Sequence, residues 1–429
     1  MTNSGLPGYR ETDAGWMPED WAPLSLGTIA AARKSKAVAQ HGVRCVELEH
    51  IEPETGRLLG WDSSGAQASI KTAFTQGDVL FGKLRPYLRK YAVAPFDGIC
   101  TTEMLAIHPK DDLADRNFLF QLMQGDGVFS TVEALSYGTK MPRVSWSDLA
   151  DIVVGVPPLP EQRHIAAILT AVDDKLDVIA RQIEATQTLK QGLMQTLFSR
   201  GVGTQDADGR WLPHAEFKHS ELGDIPASWD VAEIQSIADV IRGASPRPQG
   251  DPRYYGGDVP RLMGADVTRD GKWVTPKIDF LTQEGAKRSR PCPKGTLTII
   301  CSGDVGIPSI LAVDACIHDG FLAVINIDEA RACKNYLYHV IASLKQRLDS
   351  SATHGGVFTN LTTTILKEFQ LPLPPIAEQE EIAAALDTTD EKLAMAKKKH
   401  QHYQTLKRGL MQKLLTGEWR VKVDADMAD

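Results

Sequence analysis

The string Pro157-Pro158-Leu159-Pro160-Glu161-Gln162 returns as Pro374-Pro375-Ile376-Ala377-Glu378-Gln379 about 217 residues later, and nothing else in the chain so narrows its possible folds. The match runs on without a gap. Ile165-Ala166-Ala167 answers Ile382-Ala383-Ala384, Lys175-Leu176 answers Lys392-Leu393, and Gln187-Thr188-Leu189-Lys190 answers Gln404-Thr405-Leu406-Lys407. Gly192-Leu193-Met194-Gln195 then answers Gly409-Leu410-Met411-Gln412, so that about twenty of 43 positions are identical. A second match opens each half: Gly15, Pro18 and Trp21 face Gly223, Pro226 and Trp229 at a shift of about 208, with Tyr9-Arg10 facing Phe217-Lys218. The shift grows by about nine residues between the matches, so the second half carries extra residues in its middle. The chain reads as one frame kept twice around two diverged contents. A duplicated enzyme would be expected to keep a catalytic motif in at least one half.

The prolines before Glu161 and Glu378 give an extended lead-in, and each glutamate then sits in a first helical turn, where the positive end of the helix dipole favours it. Ile165, Ile168, Val172, Leu176, Ile179, Ile183, Leu189, Leu193 and Leu197 form an apolar stripe. Ile382, Leu386, Leu393, Tyr403, Leu406, Leu410 and Leu414 repeat it. Each helix should cover roughly 38 residues, about 57 Å. Either each packs on its own domain, or the two pair; their length favours an antiparallel pair acting as a stiff spacer. Gly192 and Gly409, inside the pattern, are expected to mark a close backbone approach or a local break.

The middles alternate short β-rich runs (Asp78 to Phe81, Thr296 to Ile300, Phe321 to Ile325) with turns and helical stretches (Asn117 to Met123, Asn335 to Leu348). The fold class expected is α+β, with two mixed α/β domains and two long antiparallel coiled-coil helices around an internal pseudo-two-fold. The divisions are residues 1–156, a helix at 157–201, residues 202–373, a helix at 374–420 and a tail at 421–429. Lys83, Arg85, Tyr87, Arg89 and Lys90 follow a strand, where their cations could project into a DNA groove or simply face solvent. Gly138 and Gly355 align and open polar loops. One carries Lys140 and Arg143, the other Thr359 and Asn360; Arg suits bidentate contact with guanine and Asn with adenine, while either could equally cap the next element. Arg288 and Arg290, from a basic cluster, complete the DNA-contact candidates with Arg247 and Arg261.

The net charge of −8 argues against a protein that coats DNA by charge alone but leaves local readout open. Cys45, Cys100, Cys292, Cys301, Cys316 and Cys333 show no CxxC pair and no zinc-finger spacing, so buried reduced thiols are expected and no metal. No long apolar run and no secretory leader pattern occurs, which places the chain in the cytoplasm. No phosphate-binding GxxxxGK[ST], HExxH, GxSxG or aminomethyltransferase motif is found, and His164, His318 and His354 lack metal-ligand spacing. No catalytic residue is assigned.

Together, the G-x-x-P-x-x-W openings, the P-P-x-x-E-Q helix starts and the paired L-K-x-G-L-M-Q helices resemble the specificity subunits of type I restriction-modification enzymes, over nearly the whole chain. The resemblance implies two target-recognition domains that each read half of a bipartite double-stranded DNA sequence. It also implies a non-catalytic role beside two methyltransferase subunits, which carry S-adenosylmethionine and methylate adenine N6, and restriction subunits that use ATP and Mg. The chain itself would hold no cofactor. The expected methyltransferase contacts are Glu161, Gln162, Leu193 and Met194 with Glu378, Gln379, Leu410 and Met411. The alternative reading is a coiled-coil scaffold joining two protein-binding domains.

Overall fold

The computed structural model describes residues 7–38, 41–64, 70–110, 112–138, 140–355 and 358–421; for Ser64, residues 353–355 and residues 358–359 it describes the backbone only. The chain forms two compact units. One comprises residues up to Ile183 with those from Ala396 onward, the other Glu184–Met395. Each therefore holds one head, the start of the long helix that follows that head, and the end of the other long helix.

Each head opens with a hairpin, Tyr9–Thr12 with Gly15–Pro18 and Phe217–Ser220 with Gly223–Pro226. Gly15 at φ 90° and Gly223 at φ 95° sit in these tight turns, in a backbone region that L side chains rarely adopt, which explains the repeated glycine. A two-stranded ribbon follows: Ala22–Ser25 pairs Val153–Val156 in the first head, and Asp230–Glu233 pairs Gln370–Leu373 in the second. It ties the start of each head to its end, immediately before the long helix.

Inside the heads, where the sequences no longer match, the strand order does. Ala30–Ala32, Met104–Pro109, Val79–Gly82 and Tyr91–Val93 lie side by side in that order, all antiparallel. Asp239–Arg242, Phe321–Ile325, Leu297–Ile300 and Pro308–Leu311 repeat that order, and Trp273–Val274 adds a parallel edge strand. The second sheets correspond too. Ile70–Phe74, Gly98–Cys100, Val43–Val46 and Asp62–Ser64 match Arg290–Cys292, Ala315–Ile317, Tyr255–Leu262 and Asp279–Leu281, with the middle pair parallel in both. The extra residues of the second half lie between Arg242 and Leu297, where the helix Gly264–Asp270 leads to the added strand.

Val79–Gly82 and Leu297–Ile300 are buried on both faces, and Thr298, the polar residue in the second run, is accommodated by a 2.8 Å bond between its hydroxyl and that of Ser309. The first helical stretch forms Arg116–Gln124, capped by Asp115, whose carboxylate accepts the Asn117 and Phe118 amides at 2.9 and 3.0 Å. The second stretch is not one helix. It breaks at Leu344 into Lys334–Ser343 and Lys345–Ser351, the Leu344 amide being shared between the Val340 and Ile341 carbonyls.

The first long helix runs Leu159–Arg200, 42 residues or about 63 Å, and the second Ile376–Leu414, 39 residues. Gly201, at φ 70°, ends the first in the left-handed conformation usual after a helix C-terminus. Within the first unit Asp173 bonds Lys407 at 2.6 Å and Glu161 bonds Arg420 at 2.8 Å, so the two chain segments run antiparallel. Within the second, Lys190 bonds Asp390 at 2.5 Å and Glu378 accepts the Val202 amide at 3.0 Å, in the same sense. The two ion pairs use repeat-equivalent residues with roles exchanged, one pair in each unit. The stripe differs from expectation in detail: Leu169 is buried, while Ile168, Leu189 and Leu406 are 38%, 57% and 42% exposed. Lys190 and Lys407, paired with their aspartates, take the inward positions beside Leu189 and Leu406.

Candidate nucleic-acid interface and helix surfaces

In the first head two loops meet at the end of strand Val79–Gly82. The Val144 amide donates to the Lys83 carbonyl at 3.2 Å, Leu84 bridges Arg143, and the Arg85 amide donates to the Pro142 carbonyl at 2.7 Å. The second head builds the same junction: the Leu361 amide donates to the Cys301 carbonyl at 2.8 Å and Ser302 bridges Asn360. The sequence-predicted loops around Arg85 and Arg143 are thus brought together, with exposed Tyr87, Tyr137 and Met141 on them. Tyr137 and Met141 escaped the sequence reading because nothing in their local pattern distinguishes an outward apolar side chain from a core one.

Side-chain bonding sorts the candidates. Lys83, Arg85 and Lys140 have no side-chain partner among the described residues. Arg89 is paired with Asp126 at 2.7 Å and lies over the Phe129 ring at 4.8 Å, and Lys90 donates to the Leu48 carbonyl at 2.6 Å. Arg143 grips Glu103 with two bonds of 2.9 and 3.3 Å, which raise the guanidinium pKa and make the residue a brace between loop and sheet. In the second head Arg247 is exposed and lies 3.3 Å from Asp319, whose pKa a Ser245 hydrogen bond, opposed by burial, holds down. Arg288 is exposed over Tyr254, and Arg290 is exposed with its Nε on the Arg242 carbonyl at 3.3 Å. Arg261 is 5% exposed, bonded to Asp279 and, at 2.9 Å, to Ser245. A cation so enclosed and neutralised is a structural tie, so the structure corrects its reading as a DNA contact. Asn360 accepts from Arg242 at 3.3 Å; Thr359 lies in the strand Phe358–Asn360, its side chain outside the described part.

The helix starts are also corrected. Glu161, Gln162, Glu378 and Gln379 are 3%, 1%, 2% and 0% exposed, which leaves them no surface for a partner subunit. Burial of a carboxylate requires donors, and the repeated tryptophans supply them: Trp21 Nε1 donates to Glu161 at 3.1 Å and Trp229 Nε1 to Glu378 at 2.8 Å. The two repeated motifs of each half therefore touch. Glu161 is completed by Arg420, whose pKa the Glu161 bond raises, whereas Glu378 is completed by His214 at 2.9 Å and the Val202 and Gly203 amides at 3.0 and 3.1 Å. Gln162 accepts the Asp115 amide and donates to the Leu113 and Pro157 carbonyls. Gln379 does the same with Cys333, Arg331 and Pro374. Leu193 and Met194 pack on the second head's core, and Leu410 and Met411 on the first head's. All four are partly buried and turned inward.

A different set of repeated helix residues faces out. Gln187, Thr188, Leu189, Gly192 and Gln195 are exposed in one copy, and Gln404, Thr405, Leu406, Gly409 and Gln412 in the other. A Cβ built on Gly192 or Gly409 meets nothing within 4 Å, and both helices are continuous there, so neither glycine serves a close approach or a break within the chain.

Cys45, Cys100, Cys292, Cys301 and Cys316 are buried thiols and Cys333 is half-buried; burial pushes the pKa of Cys45 up to about 11 and that of Cys100 to about 12. One group has the composition of a metal site, Glu49, His50 and Asp62. Its imidazole argues against that use, because Nδ1 accepts the Glu47 amide at 2.9 Å and the neutral ring then carries its proton on Nε2, facing Asp62. Among the described residues no helix is long and apolar enough to cross a membrane.

Comparison with known proteins agrees with this architecture. The family profile described as type I restriction modification DNA specificity domain matches residues 61–187 and 226–402. The putative type I restriction enzyme MjaX specificity subunit of Methanocaldococcus jannaschii is 26% identical over 96% of this chain and 97% of its own. The MjaVIII specificity subunit of the same organism is 24% identical over 96% of each. A solved type I restriction-modification S subunit from M. genitalium superposes with a TM-score of 0.59 over 92% of this chain and 96% of its own, at 15% identity. The chain belongs to the type I restriction-modification DNA specificity family and supplies the sequence specificity of such a system.

Proposed function

We propose that each head reads one half of a bipartite DNA target, that the antiparallel helices set the unread gap, and that two copies of a methyltransferase subunit dock on the helices. The observation that carries the first point is one strand order built twice with different residues at equivalent loop positions, Arg143 against Asn360 and Arg85 against Gly303. A common scaffold with exchanged loop residues is what two different half-sites need. The docking rests on the outward residues kept identical in both halves, of which Leu189, Gly192 and Gln195 with Leu406, Gly409 and Gln412 are the core. Internal bonding accounts for the repeated Glu161, Gln162 and Lys190 and for Glu378, Gln379 and Lys407, but for none of these outward residues, and one surface kept twice fits one kind of partner bound twice. In this reading the partner subunits carry S-adenosylmethionine and methylate adenine N6 on a base flipped out of the stack, and restriction subunits using ATP and Mg join the same complex.

The test is to co-express the full chain with its methyltransferase subunit and map methylated adenines genome-wide. A two-part motif with a gap of constant length is expected. Adding four residues to each helix lengthens it by about 6 Å, which should widen the gap by one or two base pairs and leave both half-sites as they were. An ungapped motif, or an unchanged gap in the insertion variant, would contradict the proposal.

A further inference from the structure

Of the non-glycine residues with positive φ among the described part, two are arginines that flank one short turn: Arg85 at φ 50° and Arg89 at φ 48°, on either side of Pro86–Leu88. A left-handed backbone is unfavourable for a side chain of this kind, and such residues persist where the surroundings hold them. Arg89 repays its position inside the head through Asp126 and Phe129. Arg85 does not. Its amide is held by the Pro142 carbonyl and its carbonyl by the Leu88 amide at 2.9 Å, while its side chain is exposed and has no partner among the described residues.

The second head shows what the backbone alone asks for. Its matching junction places Gly303, at φ 83°, where the first head has Arg85, and a Cβ there would meet nothing within 4 Å. The turn is therefore a glycine position in both heads, filled by arginine in one. Nothing among the described residues of the first head explains that choice.

Building on the DNA-reading function above, we propose that Arg85 is a specificity-determining residue of the first head: its guanidinium, presented from a backbone pinned by the Pro142 bond, reads a guanine edge in the major groove. Arginine's paired N–H donors match the O6 and N7 acceptors of guanine. The other cations of this turn, Arg89 and Lys90, hold the loop.

The test uses R85G and R85N, both residues that tolerate a left-handed backbone, in the full chain co-expressed with the methyltransferase subunit. The thermal midpoint should stay equal or rise, while one G·C position in one half-site becomes degenerate and the other half-site is unaltered. Binding to a duplex carrying the wild-type motif should weaken roughly 5- to 150-fold. A lower thermal midpoint would make Arg85 a structural residue and overturn the proposal. So would an unchanged motif with equal loss on all sequences and a salt dependence reduced by about one ion, which marks a phosphate contact. An R85G motif and affinity identical to wild type would sink this proposal alone. A wild-type complex that marks no two-part motif would sink the function on which it rests.

Discussion

Replacing Glu378 by Gln changes one oxygen to an amide nitrogen and should destabilise the second unit far more than a surface substitution. The carboxylate accepts from Trp229, His214 and the Val202 and Gly203 amides, and is 2% exposed. Every one of these contacts needs an acceptor. A glutamine side chain offers one acceptor oxygen and turns N–H groups toward the remaining donors, which leaves at least one buried donor unpaired at about 1–3 kcal/mol. The surviving bonds also lose their ionic assistance, which roughly halves their strength. Together the loss should be about 3 kcal/mol, or a fall of roughly 6–12 °C in the midpoint of a unit this size. Differential scanning calorimetry, with urea unfolding followed by circular dichroism, reads the effect. Trp229→Phe should destabilise as well, and the double variant should lose clearly less than the sum, since both changes break the same bond. A midpoint within about 1 °C of wild type for E378Q, or strict additivity in the cycle, would refute the argument that this carboxylate locks head to helix.

The docking surface and the buried histidine yield two further expectations. Leu189→Glu should leave the fold intact and halve the number of methyltransferase copies bound, as should Leu406→Glu, with both changes abolishing assembly; native mass spectrometry of the co-expressed complex counts the copies. His339 is buried against Asp387 at 2.7 Å, with Lys272 also bonded to Asp387, and burial lowers the imidazole pKa from its ordinary 6.5. The unfolded chain therefore binds the proton first. The contribution is fully present above about pH 6.5 and is lost as pH falls from there toward the lower folded value, by at most about 1.4 kcal/mol per pH unit. Denaturation at pH 7 and pH 5.5 should show a smaller loss of stability for His339→Gln than for wild type.

Much of the architecture was legible in the order of residues. A repeat of this length forces two equivalent units, and proline lead-ins followed by a long apolar period force helices that no single small head can cover. These are local properties of backbone and side-chain spacing, and they named the family. The candidate DNA contacts were legible only as positions. Composition shows that Arg143 and Arg261 are cations beside turns, but not that Glu103, from the turn before a strand, and Asp279, from a paired strand, approach to neutralise them. The same limit misassigned Glu161 and Gln162, since a repeated polar residue looks alike whether it faces a partner or a buried tryptophan 140 positions away.

What the sequence determined by itself was the duplication and the two long helices, whose pairing it favoured over packing on their own heads. Tertiary structure alone decided which repeated residues turn inward and which remain outside, because burial of a charged group depends on donors brought from distant segments. It also decided that the two unlike middles share one strand order: sheet pairing depends on burial pattern and hydrogen-bond register, and different side chains satisfy both equally well.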